Sequence, residues 1–162
     1  MTDPRHKLLV IGIGNPECGD DGAGPAVVKR IEHSHPDDIQ TQIIAGDPSH
    51  LIGAMKGRSF VVLVDAILSQ NAMGALHVLD ATKVALPVDL FGNVSTHGFG
   101  LANAIEMARA LGELPKKLVV LGIEGEKFEP GDGMSPRVKE AVTEATRWVL
   151  ERSDAYSIIG ND

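Results

Sequence analysis

The feature that most constrains this chain is an apolar run that stops abruptly in a glycine- and aspartate-rich turn. Residues 7–13, KLLVIGI, are almost uniformly apolar, and GNPECGDDGAG follows at residues 14–24. A run this short with no polar alternation suits a strand covered on both faces, as in a parallel sheet. Pro25 then falls in an early helical turn, where its missing N–H costs little, and helical spacing continues to about His33. The segment TQIIA (41–45) predicts a second strand. Asp47 and Pro48 start a short helix. FVVLV (60–64) is the clearest strand, with Asp65 expected at its carboxyl end.

ALHVL (75–79) predicts a fourth strand. Only about nine residues separate it from Asp65, too few for a parallel crossover, so it is expected antiparallel to its predecessor. A helix is predicted near residues 100–111, a fifth strand over KLVVLGI (117–123), and a final helix from Ser135-Pro136 to about Arg152. Residues 153–162 read as a frayed tail. Strands alternating with helices imply a three-layer α/β sandwich whose twisted, mostly parallel five-stranded sheet has one antiparallel strand. With no repeats or linkers, residues 1–162 are expected to form a single domain.

In such folds sites form outside the carboxyl ends of the strands. This rule gathers Asp20, Asp21, Asp47, Asp65 and Glu124 on one rim, while the place of His97 is not fixed by it. Asp65 is the hardest to treat as incidental, because it ends a run expected to be buried on both faces. For Asp20 and Asp21, one is expected to cap the following helix and the other to face the rim. Of six histidines, His6, His33 and His35 fall in ends and turns, His50 in a short helix and His77 in mid-strand. His97 sits in a Ser-Thr-His-Gly loop rich in hydrogen-bonding groups.

Two carboxylates and an imidazole could fill three positions around Zn2+ or Ni2+ and leave others open for substrate. Other chemistries fit less well. The first turn begins G-I-G but has Glu17 where the dinucleotide fingerprint needs glycine, and two aspartates would face a cofactor phosphate. No P-loop, H-E-x-x-H, G-x-S-x-G or pepsin-like D-T-G occurs. Cys18 is the only cysteine, so no intrachain disulfide forms. It could be a nucleophile with His97 as base, or simply a small turn residue. The formal net charge of −7 argues against nucleic acid or an anionic membrane as main partner. The short N-terminal apolar run reads as a strand rather than a signal peptide, which leads to the expectation of a cytoplasmic protein.

Three segments, GIGNPECGDDGAGPAVV (12–28), VVLVDAI (61–67) and VSTHGFGLANAI (94–105), resemble in order and spacing the hydrogenase maturation endopeptidases. The resemblance runs from about Lys7 to the final helix. It implies a twisted five-stranded mixed sheet between helices. It also implies removal of a C-terminal peptide from a [NiFe] hydrogenase large-subunit precursor once nickel is in place. Carried over by motif, Asp21, Asp65 and His97 are the metal-contacting positions, and Asp21 and Asp65 the catalytic carboxylates. Asp20 matches a neighbouring acid that is not a ligand. The metal implied is Ni2+ delivered with the precursor, with Zn2+ or Cd2+ as stand-ins. Family members are sometimes classed as aspartic-type peptidases. A monomer is the simplest expectation. The alternatives are a self-sufficient metal-dependent peptidase or amidohydrolase acting on small substrates, a nucleotide-binding regulatory domain, and an adaptor that binds the precursor without cutting it.

Overall fold

The computed structural model describes residues 7–34, 37–91 and 100–159, with side chains to residue 153. Six-residue β1 (Leu8–Ile13) is buried at every position, as its unbroken apolar sequence requires. A 3-10 turn (Gly19–Gly22) leads into α1 (Ala23–Ser34). Then come β2 (Ile39–Ile44), α2 (Pro48–Met55), β3 (Phe60–Ile67), β4 (Leu76–Asp80), α3 (Val88–Phe91), α4 (Leu101–Ala110), β5 (Lys117–Glu124) and α5 (Pro136–Ile159). Asp47 starts α2 as expected. Its carboxylate accepts from Ser49 N (2.9 Å) and His50 N (3.3 Å).

The five strands lie in the order β2-β1-β3-β5-β4. All neighbours are parallel except β4 and β5. The expected architecture is therefore present, with one antiparallel strand at an edge. β4 does run against β3, but β5 lies between them. The β3–β4 connection consequently crosses over the carboxyl end of β5.

Side chains alternate between two apolar clusters, one on each face of the sheet. Val62, Val64, Leu121 and Ile123 pack with Val27, Val28 and Ile31 of α1 and with Val138, Val142 and Val149 of α5. Val61, Leu63, Leu118 and Val120 pack with Leu51 and Met55 of α2 and with Leu101, Ile105 and Ala108 of α4. This gives helix, sheet and helix layers.

Three boundaries differ from expectation. β3 runs on to Ile67, so Asp65 is two residues inside the strand; pairing with Gly122, Ile123 and Glu124 of β5 extends it. The backbone of α5 is helical to Ile159 rather than to about Arg152. The four-residue α3 is too short to leave a periodic signature. Among the described residues no helix is long and apolar enough to cross a membrane.

Candidate active site

The carboxyl ends of β1 and β3 are drawn together by glycines that allow backbones to touch. A Cβ on Gly24, in α1, would lie 2.4 Å from the Val64 carbonyl oxygen and 2.7 Å from the Ile13 nitrogen. A Cβ on Gly12 would lie 2.4 Å from the Gly24 carbonyl oxygen. The start of α1 therefore rests directly on both strands, and the 3-10 turn before it packs against β3.

That turn carries Asp21, which is 2 % exposed. Its Oδ2 accepts from Asn15 N at 2.9 Å. A Cβ on Gly14, where φ is +134°, would lie 3.3 Å from the Asp21 Cγ and 2.0 Å from its carbonyl oxygen. Only glycine fits there, on both counts. Asp65 is 3 % exposed. It lies one position past Val64, which pairs with Gly12 of β1. Asp21 and Asp65 are thus two buried carboxylates at one corner of the rim, where β1 and β3 end side by side. The alternation of Val61, Leu63 and Asp65 puts the last on the α2/α4 face of the sheet.

The other rim carboxylates hold loops. Asp20, fully buried, accepts from Glu126 N and Lys127 N (both 2.9 Å) and from Ser135 N (2.7 Å) and Ser135 Oγ (2.9 Å). Burial by itself would raise its pKa, but the hydrogen bonds from Lys127, Ser135 and Glu126 override this and hold it below the ordinary 3.8. Of the paired aspartates, Asp20 is therefore held in this clamp rather than at the helix start. The 3-10 turn carries Asp20 past the helix start, to where the loop after β5 offers its N–H groups. Ser135 likewise spends its hydroxyl on Asp20, while its carbonyl accepts from Lys139 N in the first turn of α5.

Glu124, 1 % exposed, accepts from Ser69 N (2.5 Å) and Ser69 Oγ (2.7 Å). His77 Nε2 lies 4.0 Å from its Oε2. Glu124 was legible as a rim residue, but its grip on Ser69 was not. Cys18, partly exposed, lies just before the 3-10 turn.

His97 lies outside the described residues, as do His6 and His35. The described neighbours of the His97 segment are informative. Phe91 and Leu101 both pack in the apolar cluster on the Asp65 face. A Cβ on Gly122, the β5 partner of Asp65, would lie 3.1 Å from the Phe91 ring and 3.2 Å from Ile67 Cδ1. Among the described residues no group of three His, Cys, Asp or Glu side chains is placed to hold a metal ion.

Comparison with known proteins bears on this geometry. A family model described as hydrogenase maturation protease matches residues 25–152. The hydrogenase 2 maturation protease of Escherichia coli K12 is 32 % identical over 147 residues, 89 % of this chain and 88 % of that protein. The solved E. coli hydrogenase maturating endopeptidase HybD superposes with a TM-score of 0.72 at 34 % identity, covering 90 % of each chain. The [NiFe] hydrogenase maturation protease HycI of Thermococcus kodakarensis, 23 % identical, shares the fold with a TM-score of 0.69 over 90 % of this chain and 91 % of that one. The family match runs from Pro25 in the first turn of α1 through Asp65 on β3 to α5, and with it the chain belongs to the hydrogenase maturation proteases, a family of endopeptidases.

Proposed function

We propose that this protein removes the C-terminal extension of a [NiFe] hydrogenase large-subunit precursor after nickel has been inserted, reading the nickel as the sign that insertion is complete. The observation that carries the reading is the placement of Asp21 and Asp65, both buried, at one corner of the strand-end rim. His97 is the third contact in this reading. The packing of Phe91 against Gly122, the β5 partner of Asp65, supports it, since Phe91 precedes His97 by only six residues in the chain.

Two carboxylates and one imidazole make a modest set for a borderline metal. That suits an enzyme that tests for nickel held by its substrate, because a tight site of its own would always be filled. Ni2+ arrives with the precursor, and Zn2+ or Cd2+ can stand in. Bound nickel fixes the precursor's C-terminal region against the rim. One carboxylate, Asp21 or Asp65, then takes a proton from a water that attacks the scissile carbonyl. The C–N bond breaks, and the proton passes to the leaving amine. In this reading the enzyme acts as a monomer in the cytoplasm.

The test is a mass measurement of a hydrogenase large-subunit precursor, nickel-loaded and nickel-free, after incubation with the protein. The loaded precursor is expected to lose its extension and the nickel-free one to keep it. Asp21→Asn, Asp65→Asn and His97→Ala are each expected to slow release by about 100-fold or more. Wild-type rates for all three variants would sink the mechanism. Cleavage of short peptides with added Zn2+ or Ni2+ alone would favour a self-sufficient metallopeptidase instead.

A further inference from the structure

The connection from β3 to β4 is held in one unusual shape. It crosses the end of β5, where Gly125 N donates to Ile67 O (2.9 Å) and Gly74 N to Glu124 O (2.7 Å). The buried Glu124 carboxylate grips Ser69 through both its N–H and its hydroxyl. Asn71 Nδ2 donates to the same hydroxyl at 2.8 Å. The next residue after Ser69, Gln70, has φ +67° and is the only non-glycine with positive φ among the described residues. A side chain with a Cβ is disfavoured in that region, where glycine or asparagine would sit more easily. Strain of this kind persists only where the surroundings impose it, and it concentrates at binding elements. The sites beside it are open: Gln70 is exposed, and Leu68 is 50 % exposed.

The turn also has the right place. Leu68 is the first residue beyond the end of β3 and three past Asp65, within about 10 Å of it at the strand rise of ~3.3 Å per residue. A peptide with its scissile carbonyl near Asp65 and running the same way passes over the turn about three residues from the cut. The Gln70 amide offers a donor and an acceptor, which is what a peptide backbone group needs. Leu68 offers an apolar contact. We infer that the Leu68–Asn71 turn, clamped by Glu124, is a substrate-binding element, with Gln70 holding the precursor backbone and Leu68 an apolar residue about three positions from the scissile bond. This rests on the cleavage reading above and deepens it by assigning a specificity contact.

The experiment compares wild type, Gln70→Gly, Gln70→Asn and Leu68→Ser on the nickel-loaded precursor, with Tm measured in parallel. Glycine relieves the strain, so Gln70→Gly is expected to keep or raise Tm. Its KM is expected to rise about fivefold or more with kcat within about twofold, the mark of lost uniform binding. Gln70→Asn tolerates the same backbone and keeps a shorter amide, so its KM should fall between the two. Leu68→Ser is expected to raise KM as well. A Gln70→Gly protein with wild-type KM overturns the inference and leaves the cleavage reading intact. Should the wild-type protein cut no precursor, the cleavage reading falls. The turn is then judged by the Kd for the same precursor, where a loss of about fivefold in Gln70→Gly supports it. Equal affinity, or none in either protein, overturns it.

Discussion

Asp20 and Ser135 lie 115 residues apart in sequence and are joined by two hydrogen bonds, from Ser135 N at 2.7 Å and from Ser135 Oγ at 2.9 Å. With the N–H groups of Glu126 and Lys127 on the same carboxylate, this contact ties the 3-10 turn before α1 to the loop between β5 and α5. Asp20→Asn keeps the size but turns an amide NH2 toward donors. It is expected to cost about 2–4 kcal/mol, read from denaturant unfolding. The carboxyl is held below its ordinary value in the fold. Its stabilisation is therefore fully present above the unfolded value near pH 4 and is lost as pH falls through the lower folded value. The wild-type protein should lose Tm more steeply than Asp20→Asn as pH drops below about 4. Parallel curves would remove Asp20 from the acid response.

Glycine substitutions should separate backbone contact from open space. Gly24→Ala drives a Cβ into the Val64 and Ile13 main chains, which cannot rotate away. About 3 kcal/mol is expected, a fall in Tm of roughly 6–12 °C. A Cβ on Gly53, within α2, meets nothing within 4 Å. Gly53→Ala should therefore gain about 0.5–1 kcal/mol from helix propensity. Equal Tm shifts of the same sign would contradict the packing described.

Gly122 lies between the two outcomes. The atoms nearest a Cβ there are the ends of the Phe91 and Ile67 side chains, which can yield. Gly122→Ala should therefore lower Tm by only a few degrees. Phe91 leads directly into the segment that carries His97, so displacing its ring should cost processing about 10-fold, because small misplacements near the chemistry are expensive. A Tm loss with unchanged processing would show that Phe91 is merely core.

Asp80 and Lys117 pair at 2.5 Å across the β4–β5 edge, and both are substantially exposed. The Lys117 ammonium, then Thr82, holds the Asp80 carboxyl down at about 2. Its stabilising effect is present above the unfolded value near 3.9 and fades as pH falls toward 2; solvent screening keeps it below about 1 kcal/mol. Lys117→Met should raise the Asp80 pKa, followed by NMR titration, with little change in Tm. An Asp80 pKa that stays near 2 would assign the shift to Thr82 alone.

The sheet was legible because strands buried on both faces, such as FVVLV and KLVVLGI, have no other reading, and the glycine turn announced a helix start. The rim rule collected five carboxylates but could not rank them, since Asp20 and Glu124 find their partners through loops that sequence does not order in space. The nine-residue link between Asp65 and β4 revealed the reversed direction, but β5, far along the chain, supplies the strand between them. Gln70 was hidden because its left-handed backbone follows Ser69, which is held by Glu124 more than fifty residues away. Strand-end position put Asp21 and Asp65 on the rim, and the family motif supplied the roles proposed for them. The assignment of His97 came from the family motif.

The crossing of the β3–β4 connection over β5 has a consequence for biogenesis. A nascent chain exposes β1 through β4 well before β5 leaves the ribosome. Until then β3 lacks its β5 neighbour, and β4 has no strand to pair with. The sheet therefore closes only by late insertion of an interior strand, and Glu124 can lock Ser69 only after that insertion. Locking of the Leu68–Asn71 turn and completion of the hydrophobic core become one event, so a half-made protein has neither.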